Sequence, residues 1–355
     1  VSARLGRGPL GPEFRLIDRL ADRLPDLAAF PKVVREGLRV GIGDDAAVWR
    51  LPDGSLGLLT VDTVVEGVHF YPHESPADIG ARAFTAAVSD VAAMGGDPLF
   101  AVIALQSPPA GTVERLEELY SGIGREAAAL GVAVVGGDVV DTPGPLAFAV
   151  TVYGTCPAEG PWQRDGVQPG DVLAVTGSLG GSRAGLVLIA DPEHPPEQPW
   201  ARRLAERHLR PRARVAAARA IRGLGPVHAA QDISDGLSSE CWHLALASGV
   251  RLHLEAGAIP CHPDLDTFLA TAAAGETGPD PVAFALDSGE EYELLLALPA
   301  GHPALEAEDL GGEGPLTIIG RAEDGEAGVV LGRPEGSTPV CPGGWSHGGA
   351  DGGRA

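Results

Sequence analysis

Between residues 56 and 152 the chain alternates aliphatic runs with helix-periodic stretches, and that alternation restricts it to layered α/β architectures. Leu56 to Val61, Leu99 to Leu105, Val132 to Val135 and Leu146 to Val152 are rich in branched residues and bounded by Gly, Pro or Asp, which predicts strands. Between them, Ala77 to Met94 repeats Ile79, Phe84, Val88 and Val91 at helical spacing, with Ala83 and Ala87 on the same face. Thr112 to Leu130 does likewise with Leu116, Leu119, Tyr120 and Ile123, and Gly131 is placed to stop it. Turn formers crowd Thr155 to Gly170, which predicts a domain boundary. Beyond it, Val172 to Val175, a run ending at Asp232, and segments near Leu252, Phe284, Glu293 to Leu298 and Ile318 read as strands. Helices are predicted around Ser182 to Ile189, around Arg212 to Ile221 and after Asp235. A length of 355 residues agrees with two such domains. Arg333 to Ala355, rich in Gly and Pro, reads mostly as surface loop or frayed tail.

Composition narrows the partners. Hydrophobic residues at 44% and charged residues at 21% are ordinary for globular domains. A net charge of −22 is the wrong sign for a nucleic-acid binder that works by phosphate neutralisation. The chain has no apolar run near the roughly 18 residues a membrane helix needs, and its first ten residues lack an apolar signal core, so a cytoplasmic protein is expected. Cys156, Cys241, Cys261 and Cys341 form no C-x-x-C pair, which argues against a zinc site or a disulfide framework.

Lys32, the single lysine, is followed by Val33, so the G-x-x-x-x-G-K-[ST] phosphate loop is absent. Gly41 to Ala46, G-I-G-D-D-A, formally fits a dinucleotide fingerprint. Val48, Trp49 and the turn at Pro52 to Gly54 leave no room for the helix it requires, and two carboxylates would face the pyrophosphate. The acids are more informative. Asp44, Asp45, Asp62, Asp90, Asp138, Asp232 and Asp235 sit at predicted strand ends or beside Gly, among small and apolar neighbours. Any one of them reads as a cap or turn residue. Together they imply carboxylates approaching the interior, where uncompensated charge is costly. With lysine almost absent and few His or Cys nearby, the natural compensator is Mg²⁺. Gly136 and Gly137 allow either a tight turn or close approach of amides to a phosphate, and Thr176 to Gly181 either a strand-to-helix turn or an anion site. His69 reads by default as a packed or surface residue, while Trp345, in a Gly-rich tail with little to pack against, suits stacking on a flat ligand.

In order along the chain, P-E-F-R-L-I from Pro12, G-I-G-D-D-A-A-V from Gly41, T-V-D-T-V-V-E-G-V-H-F from Thr60, A-V-S-D-V-A-A-M-G-G-D-P from Ala87, G-G-D from Gly136, P-G-D-V-L-A-V-T-G from Pro169, D-I-S-D-G-L from Asp232 and E-E-Y-E-L from Glu290 resemble the thiamine-monophosphate kinase family, within the aminoimidazole ribonucleotide synthetase superfamily. The resemblance implies a two-domain α/β fold, each domain a mixed sheet with packed helices. It implies an ATP- and Mg-binding, dimerising domain over 12–155, a domain over 156–348 that completes the nucleotide and substrate site, and a tail at 349–355. It implies transfer of the γ-phosphoryl of ATP to thiamine monophosphate, by direct in-line attack assisted by several Mg²⁺ ions, in a homodimer.

Carried over by position, Asp45, Thr60, Val61, Asp62, Asp90, Asp138, Asp232 and Asp235 match metal ligands, and Asp44 a supporting acid. Gly137, Asp138, Arg164 and Ser234 match ATP contacts. His69, Glu290 and Trp345 match the thiamine phosphate site, and no residue acts as a covalent nucleophile. Two departures stand out: S-G-E-E-Y-E-L replaces the usual G-G-E-D-Y-E-L, and Trp345 stands in W-S-H instead of aromatic-x-His-Phe. Aminoimidazole ribonucleotide synthetase is the competing enzymatic reading. A non-catalytic acidic divalent-metal binder is the competing reading of another class, and the absence of an EF-hand spacing weakens it.

Overall fold

The computed structural model describes residues 9–109, 112–156, 160–272 and 280–345. The expected tail at 349–355, the domain end at 346–348 and part of the boundary segment, 157–159, lie outside the described residues.

Two mixed sheets carry the architecture. The first holds β1 (Leu38–Val40), β2 (Ala47–Arg50), β3 (Leu56–Val65), β4 (Asp97–Ser107), β5 (Ala133–Asp141) and β6 (Ala147–Cys156), in the spatial order β1-β2-β3-β6-β4-β5. Only β4 and β5 run parallel, as their helical crossover requires. The second holds β7 (Val172–Val175), β8 (Ala229–Asp232), β9 (Arg251–Glu255), β10 (Leu294–Leu298), β11 (Thr317–Glu323), β12 (Gly328–Arg333) and β13 (Gly336–Pro339), in the order β13-β12-β9-β11-β7-β10-β8. Ten α-helices lie among the described residues: α1 (Pro12–Ala21), α2 (Lys32–Gly37), α3 (Pro76–Ala93), α4 (Val113–Leu130), α5 (Gly181–Ile189), α6 (Pro199–Leu209), α7 (Val215–Arg222), α8 (Leu237–Ser248), α9 (Leu265–Ala272) and α10 (Pro281–Leu286). None is long and apolar enough to cross a membrane.

Helix α3 joins the two halves. Its spacing predicts one apolar face, yet 16 of its 18 residues are buried. The other positions are mostly Ala, Gly, Ser and Thr, small enough for layers to close on every side. One apolar cluster runs from Leu58 and Phe148 of the first sheet through Phe84 and Val88 to Val215, Leu294 and Leu296 of the second half. Strand β10 alternates between that cluster and a second one holding Leu295 and Ala297, so it reads L-L-L-A-L without polar positions. Helices α3 and α4 meet at two glycines, where a Cβ on Gly122 would collide with the carbonyl of Ala77 and one on Gly80 with that of Leu119. Gly122→Ala is therefore expected to destabilise the fold by about 1–3 kcal/mol, read as a lower urea midpoint at unchanged slope.

Two expectations need correction. Phe284 lies in α10, not in a strand, because Pro281 at the first helical position and the Asp280 carboxylate, accepting the Val282 N–H at 3.1 Å, start a helix there. The segment after Arg333 is not all loop: Gly336–Pro339 pairs antiparallel with β12, and the indole N–H of Trp242 donates to the Val340 carbonyl at 2.7 Å. The helix excluded after G-I-G-D-D-A is indeed not formed, since β2 follows at once.

Candidate active site

Strand β3 sets the first acids by its two-residue period. Leu58, Thr60 and Asp62 share the face covered by α3, whereas the Val61 side chain points to the other face and leaves only its carbonyl as a donor oxygen on the chain. From α3 comes Asp90, whose Oδ2 accepts the Thr60 hydroxyl. From the end of β8 comes Asp232, whose Oδ2 accepts the Ser89 hydroxyl at 2.6 Å. From the loop between β1 and β2 comes Asp45. One carboxylate oxygen from each of Asp45, Asp90 and Asp232 lies within 4.8 Å of the others. Residues 187 positions apart in the sequence thus converge on one point.

That point separates two cavities. One, of about 970 Å³, is lined by Asp62, His69, Glu290 and Trp345; the other, of about 680 Å³, by Asp44, Asp45, Thr60, Val61 and Arg164. Asp90, Asp232, Ser234 and Asp235 line both. Arg164 ion-pairs with Asp45, and its Nε lies 4.0 Å from Asp44. The chain therefore supplies one organic cation where lysine scarcity suggested that only a metal was left to do so. One guanidinium is not enough. Burial, reinforced by neighbouring carboxylates, raises Asp90 and Asp232 well above the ordinary Asp value, and burial raises Asp235 well above it too. Burial pushes Asp62 up to about 6 and, with Asp45 adding to it, Asp44 up to about 7. Asp45 Oδ2 is buried without a hydrogen-bond partner. Converging hard oxygen donors with an orphaned buried carboxylate oxygen fit a divalent cation of the Mg²⁺ type.

The other sequence-derived positions divide sharply. Trp345 donates its backbone N–H to the Asp235 carbonyl at 3.0 Å, which ties the end of the described chain to the acid loop. His69 Nδ1 accepts the Val65 N–H at 3.0 Å. Gly137 and Asp138 are not brought to the cluster. They lie on β5, every residue of which is exposed. Register places Asp138 in line with Ala104, Ala149 and Thr63, hence on the outer face of the sheet and three strand spacings, about 14 Å, from β3. Gly137 has a packing reason of its own, since a Cβ there would strike the Ile103 backbone.

Several site residues had no signal in the sequence. Glu240, fully buried, accepts the Asp235 N–H at 2.8 Å and lies 2.8 Å from His243 Nδ1; burial would raise it, but His243, the Asp235 amide and Arg164 together hold it below its usual value. Arg82, buried in α3, pairs with Glu74 at 2.9 Å and donates to the His69 carbonyl at 3.0 Å. For Arg82 the one available hint was an arginine inside a helix of mostly small and apolar residues. In the Thr176 to Gly181 turn, the N–H groups of Thr176, Leu179 and Gly180 donate within the protein, to the Leu294 carbonyl, the Pro260 carbonyl and the Glu291 carboxylate.

Residues 43–156 match the family described as AIR synthase related protein, N-terminal domain, and residues 168–332 its C-terminal domain. The thiamine-monophosphate kinase of Salmonella typhimurium is 33% identical over 310 residues, covering 87% of this chain and 90% of that protein. The chain belongs to the thiamine-monophosphate kinase family. The Aquifex aeolicus thiamine-monophosphate kinase is 35% identical over 308 residues, covering 86% of this chain and 92% of its own. A solved structure of AaThiL complexed with AMPPCP and TMP superposes with a TM-score of 0.79 at 34% identity, over 94% of this chain and 96% of that one. The two-domain α/β architecture expected from the motifs is thus the architecture of thiamine-monophosphate kinases.

Proposed function

We propose that this chain transfers the γ-phosphoryl group of ATP to thiamine monophosphate, giving thiamine diphosphate by direct in-line attack. The observation that carries the reading is the convergence of Asp45, Asp90 and Asp232 between two cavities, which suits a reaction that must bring two anionic molecules together. Asp45, Thr60, Asp62, Asp90, Asp232 and Asp235, with the Val61 carbonyl, would hold several Mg²⁺ ions. Such ions, when bound, screen phosphate repulsion and stabilise charge on the transferring group.

The chain's own groups do the positioning. Thr60 and Ser89 fix the carboxylates of Asp90 and Asp232, and Glu240 fixes the backbone of Asp235. On the nucleotide side, Arg164 and Ser234 contact ATP, the guanidinium sharing its charge between Asp45 and phosphate oxygens. On the other side, His69 and Glu290 contact thiamine monophosphate, and Trp345 stacks on one of its rings. Trp345→Ala is expected to raise KM for thiamine monophosphate about tenfold while kcat changes little, because stacking is present in ground and transition states alike.

Two copies of the chain associate through the outer face of the first sheet. Leu59, Val61, Phe100, Val102 and Val140 are apolar and exposed there, a contiguous apolar surface of the kind that marks an association site. The nucleotide-side cavity opens toward the same face through Leu59, Val61 and Thr151. Gly137 and Asp138, remote from the cluster of their own chain, would complete the nucleotide site of the partner. An ATP-consuming enzyme of this kind belongs in the cytoplasm. The deciding assay offers purified protein Mg-ATP with thiamine monophosphate or with formylglycinamidine ribonucleotide. Thiamine diphosphate is the expected product; ring closure without it would replace the reading by aminoimidazole ribonucleotide synthetase, and metal-dependent stabilisation without turnover by a binding protein.

A further inference from the structure

Glu290 and Tyr292 both line the larger cavity, and both have positive φ, 54° and 52°, which residues with side chains of this size seldom adopt. Something must hold that backbone. Its N–H groups and carbonyls are zipped to the acid loop: Glu290 N–H donates to the Ser234 carbonyl at 2.6 Å, Tyr292 N–H to the Ile233 carbonyl at 2.9 Å, and Ile233 N–H to the Glu293 carbonyl at 2.8 Å. These bonds fix register, but they leave the direction of each side chain to other contacts.

Glu291 supplies them. It is fully buried, and its Oε1 accepts the Gly180 N–H at 2.7 Å, the Ser182 N–H at 3.2 Å and the Ser288 hydroxyl at 2.6 Å. Gly180 and Ser182 form the first turn of α5, so the carboxylate satisfies amides that a helix start leaves open and sits at the favourable end of its dipole. Its Oε2 lies 3.1 Å from Arg207 Nη2, and the same guanidinium donates to the Glu291 carbonyl at 2.7 Å. A further path returns to the cavity: Ser182 Oγ lies 3.1 Å from His208 Nδ1, which lies 3.4 Å from Glu290 Oε2.

We propose that Glu291 is a positioning residue: seated on the start of α5 and on Arg207, it holds the left-handed turn that presents Glu290 and Tyr292 to thiamine monophosphate. This rests on the reading of Glu290 as a substrate contact.

The test compares Glu291→Gln, Ser288→Ala and Glu290→Gln with the native enzyme, well below their melting temperatures, varying thiamine monophosphate and Mg-ATP separately. Glu291→Gln keeps size but removes the charge that the α5 amides and Arg207 engage, and is expected to raise KM for thiamine monophosphate by about tenfold or more, with KM for ATP within about twofold. Ser288→Ala, a milder change that carries the test if the first variant does not fold, is expected to move the same constant about threefold. Lower melting temperatures with unchanged KM in both would make Glu291 a fold staple and overturn the proposal. An unchanged KM in Glu290→Gln would remove the substrate reading itself, and the proposal with it.

Discussion

Asp90→Asn is expected to lower kcat by about three orders of magnitude and, at pH 8 without divalent ions, to raise the melting temperature of the protein. The loss of rate follows from removing an oxygen donor that stabilises charge in the transition state. The gain in stability follows from the same burial. Asp90 is raised well above the ordinary Asp value by desolvation and then by Asp62, Asp232 and Asp45. A carboxyl whose folded pKa exceeds the unfolded one contributes stability that is complete below the unfolded value and is lost as pH rises through the folded value. The window here runs from about 4, the unfolded value, upward past the folded values of Asp62, about 6, and Asp44, about 7. Metal-free wild-type protein should therefore melt progressively lower between pH 6 and pH 8, with the variant showing a shallower slope. His208, depressed by burial, acts in the opposite sense below about pH 6.5, but both proteins share it and it cancels in the difference. Added Mg²⁺ should reverse the order, raising the wild-type melting temperature by mass action and the variant less. Scanning calorimetry across pH, with and without Mg²⁺, reads all of this. A variant that melts below wild type at pH 8 without metal would show that the cluster is not under the repulsion described, and turnover above a tenth of wild type would take Asp90 out of the metal set.

How much of this arrangement was legible in the chain depends on how local each determinant is. Asp62 could be read because strand alternation places it on the same face as Leu58, and the aliphatic run around it fixes which face is buried. Asp232 was legible for the same reason, at the end of a short apolar strand. V-V-G-G-D carries an equally persuasive local pattern around Asp138, yet that residue is exposed on an edge strand of its own chain. Nothing within ten residues distinguishes the two cases, because the difference lies in strand order: β5 pairs with β4 alone at the end of the sheet, and β6, inserted between β3 and β4, sets it three strands from β3. Arg164, named through the family resemblance alone, and Glu240, which had no signal, show the converse. Their partners are 119 and 5 residues away, in loops whose mutual approach is decided by the packing of α8 and the second half against α3. Phe284 failed as a strand because Asp-Pro at 280 and 281 is a helix start whose weight exceeds the aromatic and branched content of the six residues after it.

The edge position of β5 leads to the second large effect. Val140→Asp is expected to convert the protein to a monomer by size-exclusion chromatography with light scattering and to lower turnover by at least about a hundredfold, while leaving the melting temperature of the single chain nearly unchanged. Val140, on the same face as Asp138, is 45% exposed in the chain alone, so a charge there meets solvent and costs the fold little. Across a closed two-fold interface the same charge would face an apolar partner surface twice. The division of labour is separable from association by mixing two inactive variants. Asp90→Asn and Asp138→Asn each spoil both sites of a homodimer. If Asp138 serves the partner's cluster, a heterodimer of the two concentrates both lesions in one site and leaves the other intact. An equimolar mixture after subunit exchange should then recover about a quarter of wild-type turnover, because half the dimers are mixed and each has one good site. Asp138 acting within its own chain predicts no recovery, since every site would then carry one lesion. The 14 Å, opposite-face placement of Asp138 relative to β3 is what makes the first outcome the expected one.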